Sequence, residues 1–201
     1  MGDPSGVSLT GPLILASSSP RRADLLHRHG YPFEVIHPAA EEPDTFPSDL
    51  SPAGRAEALS YLKAASVART LDRGLVMGAD TVVTYRGLVF GKPVDRGEAG
   101  RILRTLAGTT HQVITGVTLL DASDRRRDIR HAISTVSMKI LSATELETYL
   151  DSNAWVGKAG AYGVQDEADA FITLVDGSFT NVVGLPMELL ADMLAPWRGG
   201  G

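Results

Sequence analysis

One stretch near the start of the chain, residues 13–22, constrains the fold more than any other. Its apolar run Leu-Ile-Leu-Ala stops at three serines, which a proline and two arginines follow. This order predicts a buried strand, a tight turn and a helix, with Ser19 as the N-cap and the proline as the first helical residue. The free N–H groups of a helix start attract anions, so Ser17, Arg21 and Arg22 form a candidate phosphate site. A capped surface helix with two solvated arginines is the alternative.

The rest of the chain alternates between extended and helical patterns, with no internal repeat or linker. This alternation, with long extended segments in the middle, predicts an α/β fold with a mixed sheet. We expect one domain at residues 12–195, a disordered segment at 1–11 and a flexible tail at 196–201. Strands are predicted at residues 33–37, 75–85, 88–90, 112–120, 128–140 and 171–175, and helices at 20–29, 52–71, 96–107, 143–150 and 186–194. Caps are predicted at three helix starts: Ser51 before a proline, Asp95 with Glu98, and Ser142 with Glu145.

Composition excludes several classes of function. Nineteen basic and 24 acidic side chains give a net charge of −5, which argues against a nucleic-acid partner. The three arginines at 125–127 are interpreted as a solvated hairpin tip. There is no cysteine, so any metal must use oxygen ligands or histidine. No apolar run reaches the roughly 20 residues that span a membrane, so we expect a cytoplasmic protein without a membrane partner.

Four polar side chains stand out because their surroundings are apolar or constrained. Asp80 interrupts an apolar strand, where a buried carboxylate must be paired, bound to metal or catalytic, unless it caps a neighbouring turn. Lys63 lies on an alanine-lined helix and Lys92 lies between a glycine and a proline; either could be a solvated lysine. The amide of Gln165 could pair with the O4 and N3–H edge of uracil or thymine, or could simply end a strand.

Four sequence blocks occur in a characteristic order along the chain. They are residues 13–22, Gly-Ala-Asp-Thr-Val-Val at 78–83 with Gly-Lys-Pro at 91–93, the segment 108–117, and Lys-Ala-Gly-Ala-Tyr-Gly-Val-Gln at 158–165 with Asn-Val-Val-Gly-Leu-Pro at 181–186. Together these blocks resemble the Maf family of nucleotide pyrophosphatases, over about residues 13–190. The resemblance implies a two-lobed α/β architecture with a mixed sheet, of the type shared with the inosine triphosphate pyrophosphatases, with the substrate between the lobes.

The resemblance implies a reaction and a cofactor. The reaction is hydrolysis of a nucleoside triphosphate to the monophosphate and pyrophosphate, with Asp80 activating water or holding the metal. Glu42 matches a family carboxylate near the metal, although Glu41 beside it leaves the register open, and a solvated loop acid is the alternative. Magnesium is the expected ion, because Mg²⁺ is commonly coordinated by one or two protein carboxylates together with substrate phosphates. Manganese is the other possibility. His111 matches a family histidine, but no histidine shows metal-ligand spacing.

Substrate-binding roles also come from the resemblance. Arg21, Lys63 and Lys92 match positions that contact the triphosphate, and Thr81 matches a position associated with substrate choice. A glutamine at the position of Gln165 resembles the subgroup that acts on dTTP and UTP.

Two departures from the family pattern leave the shape of the base pocket open. Gly157 stands where an aspartate commonly precedes the lysine, and residues 166–170 replace the usual glycines. The alternative functions are hydrolysis of methylated GTP or inosine-type nucleotides, and a non-catalytic role in cell division. The resemblance also implies a homodimer.

Overall fold

The computed structural model describes residues 12–40, 43, 45–165 and 171–197. Within these residues, seven strands form one mixed sheet in the order β2-β1-β3-β5-β6-β7, with β4 paired to β3. The strands are β1 (Leu13–Ala16), β2 (Glu34–Val35), β3 (Leu75–Tyr85), β4 (Leu88–Phe90), β5 (Thr110–Asp121), β6 (Arg127–Met138) and β7 (Ile172–Asp176). The helices are α1 (Pro20–Arg28), α2 (Pro52–Ala68), α3 (Arg96–Leu106), α4 (Ala143–Asp151), α5 (Phe179–Val183) and α6 (Met187–Leu194).

One edge of β3 is interrupted. Strand β1 runs parallel to β3 and its last residue, Ala16, pairs with Gly78. Strand β4 runs antiparallel to β3 and pairs with it only from Val83 onward. Within the described ranges, no strand pairs with this edge of β3 at residues 79–82; we call this gap the notch. Both β1 and β4 end at the notch, so the turn after β1 and the loop after β4 meet there.

Helix α2 lies unusually close to one face of the sheet, because two glycines leave room for its backbone. A Cβ atom at Gly78 would lie 2.2 Å from the carbonyl oxygen of Ser60. One at Gly116 would lie 2.4 Å from the backbone of Ala56. Successive residues of a strand point to opposite faces, so Asp80 shares the α2 face with Gly78.

The opposite face carries two apolar clusters. In the first, α1 and α6 pack over the β1 end of the sheet, with Leu26 and Leu190 fully buried. In the second, α3 and α4 pack over the far ends of β3 and β5, with Leu103 and Leu150 at the centre. Helix α5 lies between the two clusters, because its Val183 belongs to the first and its Val182 packs against the second.

Most predicted elements are confirmed, and the differences lie at ends of elements. Strand β3 has the predicted bounds, and β4, β5, β6 and β7 agree within three residues. The strand predicted at 33–37 is shorter, because β2 pairs with β1 through only two residues, Glu34 and Val35. The helix predicted at 52–71 ends at Ala68, where residues 69–71 turn toward Gly74.

Three of the predicted helix caps are confirmed. The Ser51 hydroxyl accepts from the Gly54 amide at 3.0 Å, as predicted for the start of α2. The capping box predicted between Ser142 and Glu145 is complete at the start of α4. Asp95 accepts from the amide of Glu98 at the start of α3.

The interpretation of residues 125–127 as a solvated hairpin tip is confirmed, because all three arginines are exposed where β5 turns into β6. The arginines also make contacts: Arg125 donates to the carbonyl of Ala68 at 3.0 Å. The guanidinium of Arg126 stacks 3.8 Å above the ring of Trp197. Trp197 is buried in a short 3-10 turn, so the tail predicted from 196 begins later than expected. Residues 1–11 lie outside the described ranges.

No helix among the described residues is both long and apolar enough to cross a membrane.

Candidate active site

A cleft lies between the two apolar clusters, and it contains most of the predicted substrate-binding residues. Val183 of the first cluster and Val83 and Val113 of the second contribute its apolar lining. The predicted site residues that line it are Arg21, Arg22, Thr81, Lys92 and Gln165.

The serine turn is held by a different hydroxyl from the one expected. Ser19 occupies the N-cap position of α1, but its side chain makes no capping hydrogen bond. Instead the buried hydroxyl of Ser17 accepts from the amide of Ser19 at 3.1 Å and from Nη1 of Arg22 at 3.2 Å. Ser19 lines the cleft, whereas Ser17 is not among its lining residues. The predicted N-cap position of Ser19 is confirmed, but its hydroxyl does not cap the helix; the substrate contact of Ser17 stays a prediction.

The two neighbouring arginines have different surroundings, because successive residues of a helix point about 100° apart. Arg21 donates to the carbonyl of Gly157 at 2.8 Å, which joins α1 to the segment after α4. Arg22 is 5% exposed. It donates to the carbonyl of Gly184 at 2.8 Å and to the hydroxyl of Thr81 at 3.2 Å. Arg22 thus forms part of the cleft wall.

Asp80 is buried and ion-paired, as its apolar neighbours in the sequence require. Its partner is Lys63 of α2, whose ammonium bonds to the carboxylate. The pair lies on the α2 face of β3, and neither residue is among those that line the cleft. The partner of Asp80 among the described residues is thus an ammonium on α2, not the backbone of a neighbouring turn.

The loop after β4 and the segment after α4 form the far side of the cleft. The amide of Gly160 donates to the carbonyl of Gly91 at 3.0 Å, which holds these two stretches together. Lys92 and Gln165 are exposed at the cleft, while Lys158 is 7% exposed and lines it from inside. Lys158 was missed as a site residue. A lysine within a glycine-rich, apolar segment was the signal that could have identified it.

Tyr162 is a second lining residue that sequence reasoning missed. Its hydroxyl lies 2.7 Å from Nε2 of His111, and Nδ1 of His111 lies 3.2 Å from the hydroxyl of Thr109. Thr109 donates its proton to the carbonyl of Leu106 at 2.7 Å. Nδ1 must therefore carry a proton, and Nε2 accepts from Tyr162. Burial lowers the pKa of His111 to about 4, which keeps this imidazole neutral.

The predicted metal site is described only in part. Glu42 and Glu41 lie outside the described residues, as do residues 166–170. The residues that the structure describes include no group of three or more histidine, aspartate or glutamate side chains that could hold a metal ion.

Comparisons with known proteins agree with the predicted resemblance. The chain matches a family model described as Maf-like protein over residues 12–197. It is 48% identical over 182 residues to the dTTP/UTP pyrophosphatase of Pelotomaculum thermopropionicum, covering 90% of this chain and 94% of that protein. It is 41% identical over 184 residues to the dTTP/UTP pyrophosphatase of Ruminiclostridium cellulolyticum, with 90% and 94% covered.

A solved dITP/XTP pyrophosphatase from Mycobacterium abscessus is 12% identical, with 90% of this chain and 93% of that one covered and a TM-score of 0.43. That likeness is too distant to bear on function.

Proposed function

Since the chain belongs to the Maf family, we propose that it is a nucleoside triphosphate pyrophosphatase that hydrolyses dTTP and UTP to the monophosphate and pyrophosphate. The observation that carries this proposal is the arrangement around the notch. Arg21 after β1 and Lys92 after β4 line the cleft there from two sides. The ion-paired carboxylate of Asp80 lies next to Thr81, the β3 residue that lines the cleft.

The phosphates would bind where the turn after β1 meets the loop after β4. Arg21 and Lys92 line the cleft from these two sides and can neutralise phosphate oxygens. The first turn of α1 adds backbone N–H groups and the positive end of the helix dipole. The base would then occupy the part of the cleft that Thr81 and Gln165 line.

The chemical step would take place across the notch. Because no described strand covers β3 at residues 79–82, a triphosphate at this edge can approach the α2 face while its base stays in the cleft. Asp80 would orient or deprotonate a water that attacks the α phosphorus. The bond from that phosphorus to the bridging oxygen breaks and pyrophosphate leaves, while Arg21, Lys63 and Lys92 stabilise the charge on the phosphate oxygens. The ion pair with Lys63 also holds the carboxylate of Asp80 in place.

Magnesium, with manganese as the alternative, is the proposed cofactor. Asp80 and Glu42 are the residues that would hold it, and their hard oxygen donors suit this ion. A site with few protein ligands fits an ion that takes its other ligands from phosphate and water. Bound magnesium would neutralise phosphate charge and polarise the α phosphoryl group.

Further expectations from the sequence stay predictions. We propose a cytoplasmic homodimer without a nucleic-acid partner. The support for the dimer is the family resemblance, and the support against nucleic acid is the net charge of −5.

A nucleotide panel tests the proposed function. Purified protein with magnesium would be offered dTTP, UTP, CTP, ITP and 7-methyl-GTP in ¹⁸O-labelled water, and the release of pyrophosphate and orthophosphate would be measured. We expect pyrophosphate from dTTP and UTP, with the label in the monophosphate. Release of orthophosphate alone, preference for a purine nucleotide, or no hydrolysis would contradict the proposal.

A further inference from the structure

Thr81 and Thr115 form a hydroxyl pair beneath the cleft. They face each other directly across the antiparallel pair of β3 and β5. Their Oγ1 atoms lie 2.9 Å apart, a distance that allows either one to donate. Thr81 lines the cleft, whereas Thr115 is fully buried. The direction of this one hydrogen bond decides what Thr81 can offer to a ligand.

The other hydrogen bond of Thr115 sets the direction of the Thr81–Thr115 bond. The hydroxyl of Thr115 donates to the main-chain carbonyl of Asn181 at 3.0 Å. A carbonyl oxygen can only accept, and a hydroxyl has one proton. The proton of Thr115 is therefore committed to Asn181, so Thr81 must donate its own proton to Thr115.

Arg22 restricts Thr81 further. Its Nη2 atom donates to Oγ1 of Thr81 at 3.2 Å, and a guanidinium has no acceptor. Thr81 thus accepts one hydrogen bond from Arg22 and donates one to Thr115. A hydroxyl oxygen has two lone pairs, so the remaining capacity of Thr81 is to accept one more hydrogen bond.

Asn181 is well suited to hold this arrangement. It is fully buried. Its side-chain amide donates to the carbonyl of Val113 at 3.1 Å and to the hydroxyl of Ser134 at 2.9 Å. These contacts tie α5 to β5 and β6, so the Asn181 carbonyl is fixed relative to Thr115. The carbonyl that accepts from Thr115 is therefore anchored to the sheet.

We propose that Thr115, held by Asn181, is a positioning residue that fixes Thr81 as a hydrogen-bond acceptor toward the cleft, so that the site favours a base with an N–H donor. This inference rests on the proposed function, and it names how that site would separate uracil and thymine from cytosine.

The chemistry of the bases gives this polarity a use. Uracil and thymine carry a proton at N3, whereas N3 of cytosine is an acceptor. The amide of Gln165 could rotate by half a turn to suit either base, but a Thr81 hydroxyl fixed as acceptor cannot reverse. Cytosine would then place its N3 acceptor against the Thr81 acceptor, and both groups would stay unpaired. Polar groups left unpaired by the wrong substrate are a common source of strong discrimination between substrates.

The test is the ratio of kcat/KM for UTP to that for CTP in Thr115→Val. Valine keeps the shape of threonine but removes the hydroxyl, so the Thr81 proton can turn toward the cleft. We expect the ratio of kcat/KM for UTP to that for CTP to fall about tenfold, which corresponds to a loss of roughly 1.4 kcal/mol in the discrimination between the two bases. Thr115→Ser keeps the hydroxyl and should restore the wild-type ratio.

Thr118→Val is the matched control. Thr118 lies on the same strand, is equally buried, and shares a 2.7 Å hydroxyl pair with Ser60 on the α2 side of the sheet. Its replacement removes a buried hydroxyl without touching Thr81, so the ratio should not change. An unchanged ratio in Thr115→Val, or an equal fall in Thr118→Val, would overturn the inference.

Binding of substrate analogues separates this inference from the proposed function and serves if a variant is inactive. Affinities for α,β-methylene-UTP and α,β-methylene-CTP would be measured by calorimetry in the wild type and Thr115→Val. A preference for the uracil analogue that depends on Thr115 supports the inference even if no triphosphate is hydrolysed, an outcome that would overturn only the proposed function. No preference in the wild-type protein would overturn the inference even if hydrolysis occurs.

Discussion

Asp80 and Thr81 are neighbours on one strand, yet their surroundings have almost nothing in common. Asp80 faces α2 and is neutralised by Lys63. Thr81 faces the cleft and belongs to a chain of hydrogen bonds that ends at a main-chain carbonyl. The alternation of side chains along a strand therefore separates two tasks by a single residue. In our account, the α2 face carries out the reaction and the cleft face reads the base.

The two faces of β3 also differ in the interactions they offer to a ligand. Charged side chains on the α2 face attract ions and polar groups in a way that depends only weakly on orientation. A chain of hydroxyls has a direction, because each proton can be donated only once. Recognition of a hydrogen-bonding pattern needs such a direction, whereas stabilisation of developing charge does not.

The largest effect should come from Asp80→Asn. The amide keeps the shape but loses the charge and the basicity, so we expect kcat to fall by about 10³-fold or more. The melting temperature measured beside the wild type would show that the variant folds. Near-normal turnover would remove Asp80 from the mechanism.

Arg21→Ala and Lys92→Ala should have the next largest effects on activity. Each removes a proposed phosphate contact, and kcat/KM should fall by about 10²- to 10³-fold. Because phosphates are common to all nucleotides, UTP and CTP should be affected equally. Arg101→Ala, at an exposed position of α3, is the control and should leave the rate unchanged. Wild-type rates in both cleft variants would show that the turn is not a phosphate site.

Gln165→Ala should act on recognition alone. We expect kcat/KM for dTTP and UTP to fall, and the preference for UTP over CTP to narrow about tenfold, because only a base that also pairs with the Thr81 acceptor is held in place to use the Gln165 amide. Rates for the three nucleotides in the same preparation are the measurement. If the ratio were the same as in the wild type, Gln165 would be a structural residue.

The smallest effect concerns stability rather than activity. The pKa of His111 is about 4 in the folded protein, below its ordinary value near 6.5. The unfolded chain therefore binds more protons between these values, and stability falls as the pH drops through this range. His111→Gln should reduce the loss between pH 7 and pH 5.5 by about 1 kcal/mol.

Urea unfolding at the two pH values measures the effect of His111, with the exposed His37→Gln as control. Equal pH dependence in the wild type and His111→Gln would contradict the assignment of a buried, neutral imidazole.

What the sequence could predict was local. Strand β3 was bounded correctly because Gly74 precedes it and a turn at Arg86 and Gly87, both with positive φ, follows it. The caps at Ser51 and Ser142 needed only residues three positions apart. Strand β2 was overestimated because its length depends on β1, which has few residues to pair with.

What the sequence could not predict depends on distant segments. From the sequence, Arg21 and Arg22 were predicted together as phosphate ligands. The hydrogen bond from Arg22 to Thr81, however, depends on how α1 docks on the sheet. The role of Thr115 depends on the register of β5 against β3 and on the docking of α5. Even with the family motifs in hand, no spacing along the chain shows which way a hydroxyl donates.

One measurement tests the separation of reaction and recognition most directly. Asp80→Asn should turn over so slowly that the true substrates UTP and CTP can be used in calorimetry with magnesium. We predict that this variant still binds UTP more tightly than CTP, by the same factor that the wild type shows for the methylene analogues. Equal affinities for UTP and CTP in Asp80→Asn, beside a clear preference in the wild type, would contradict the division between the two faces of β3.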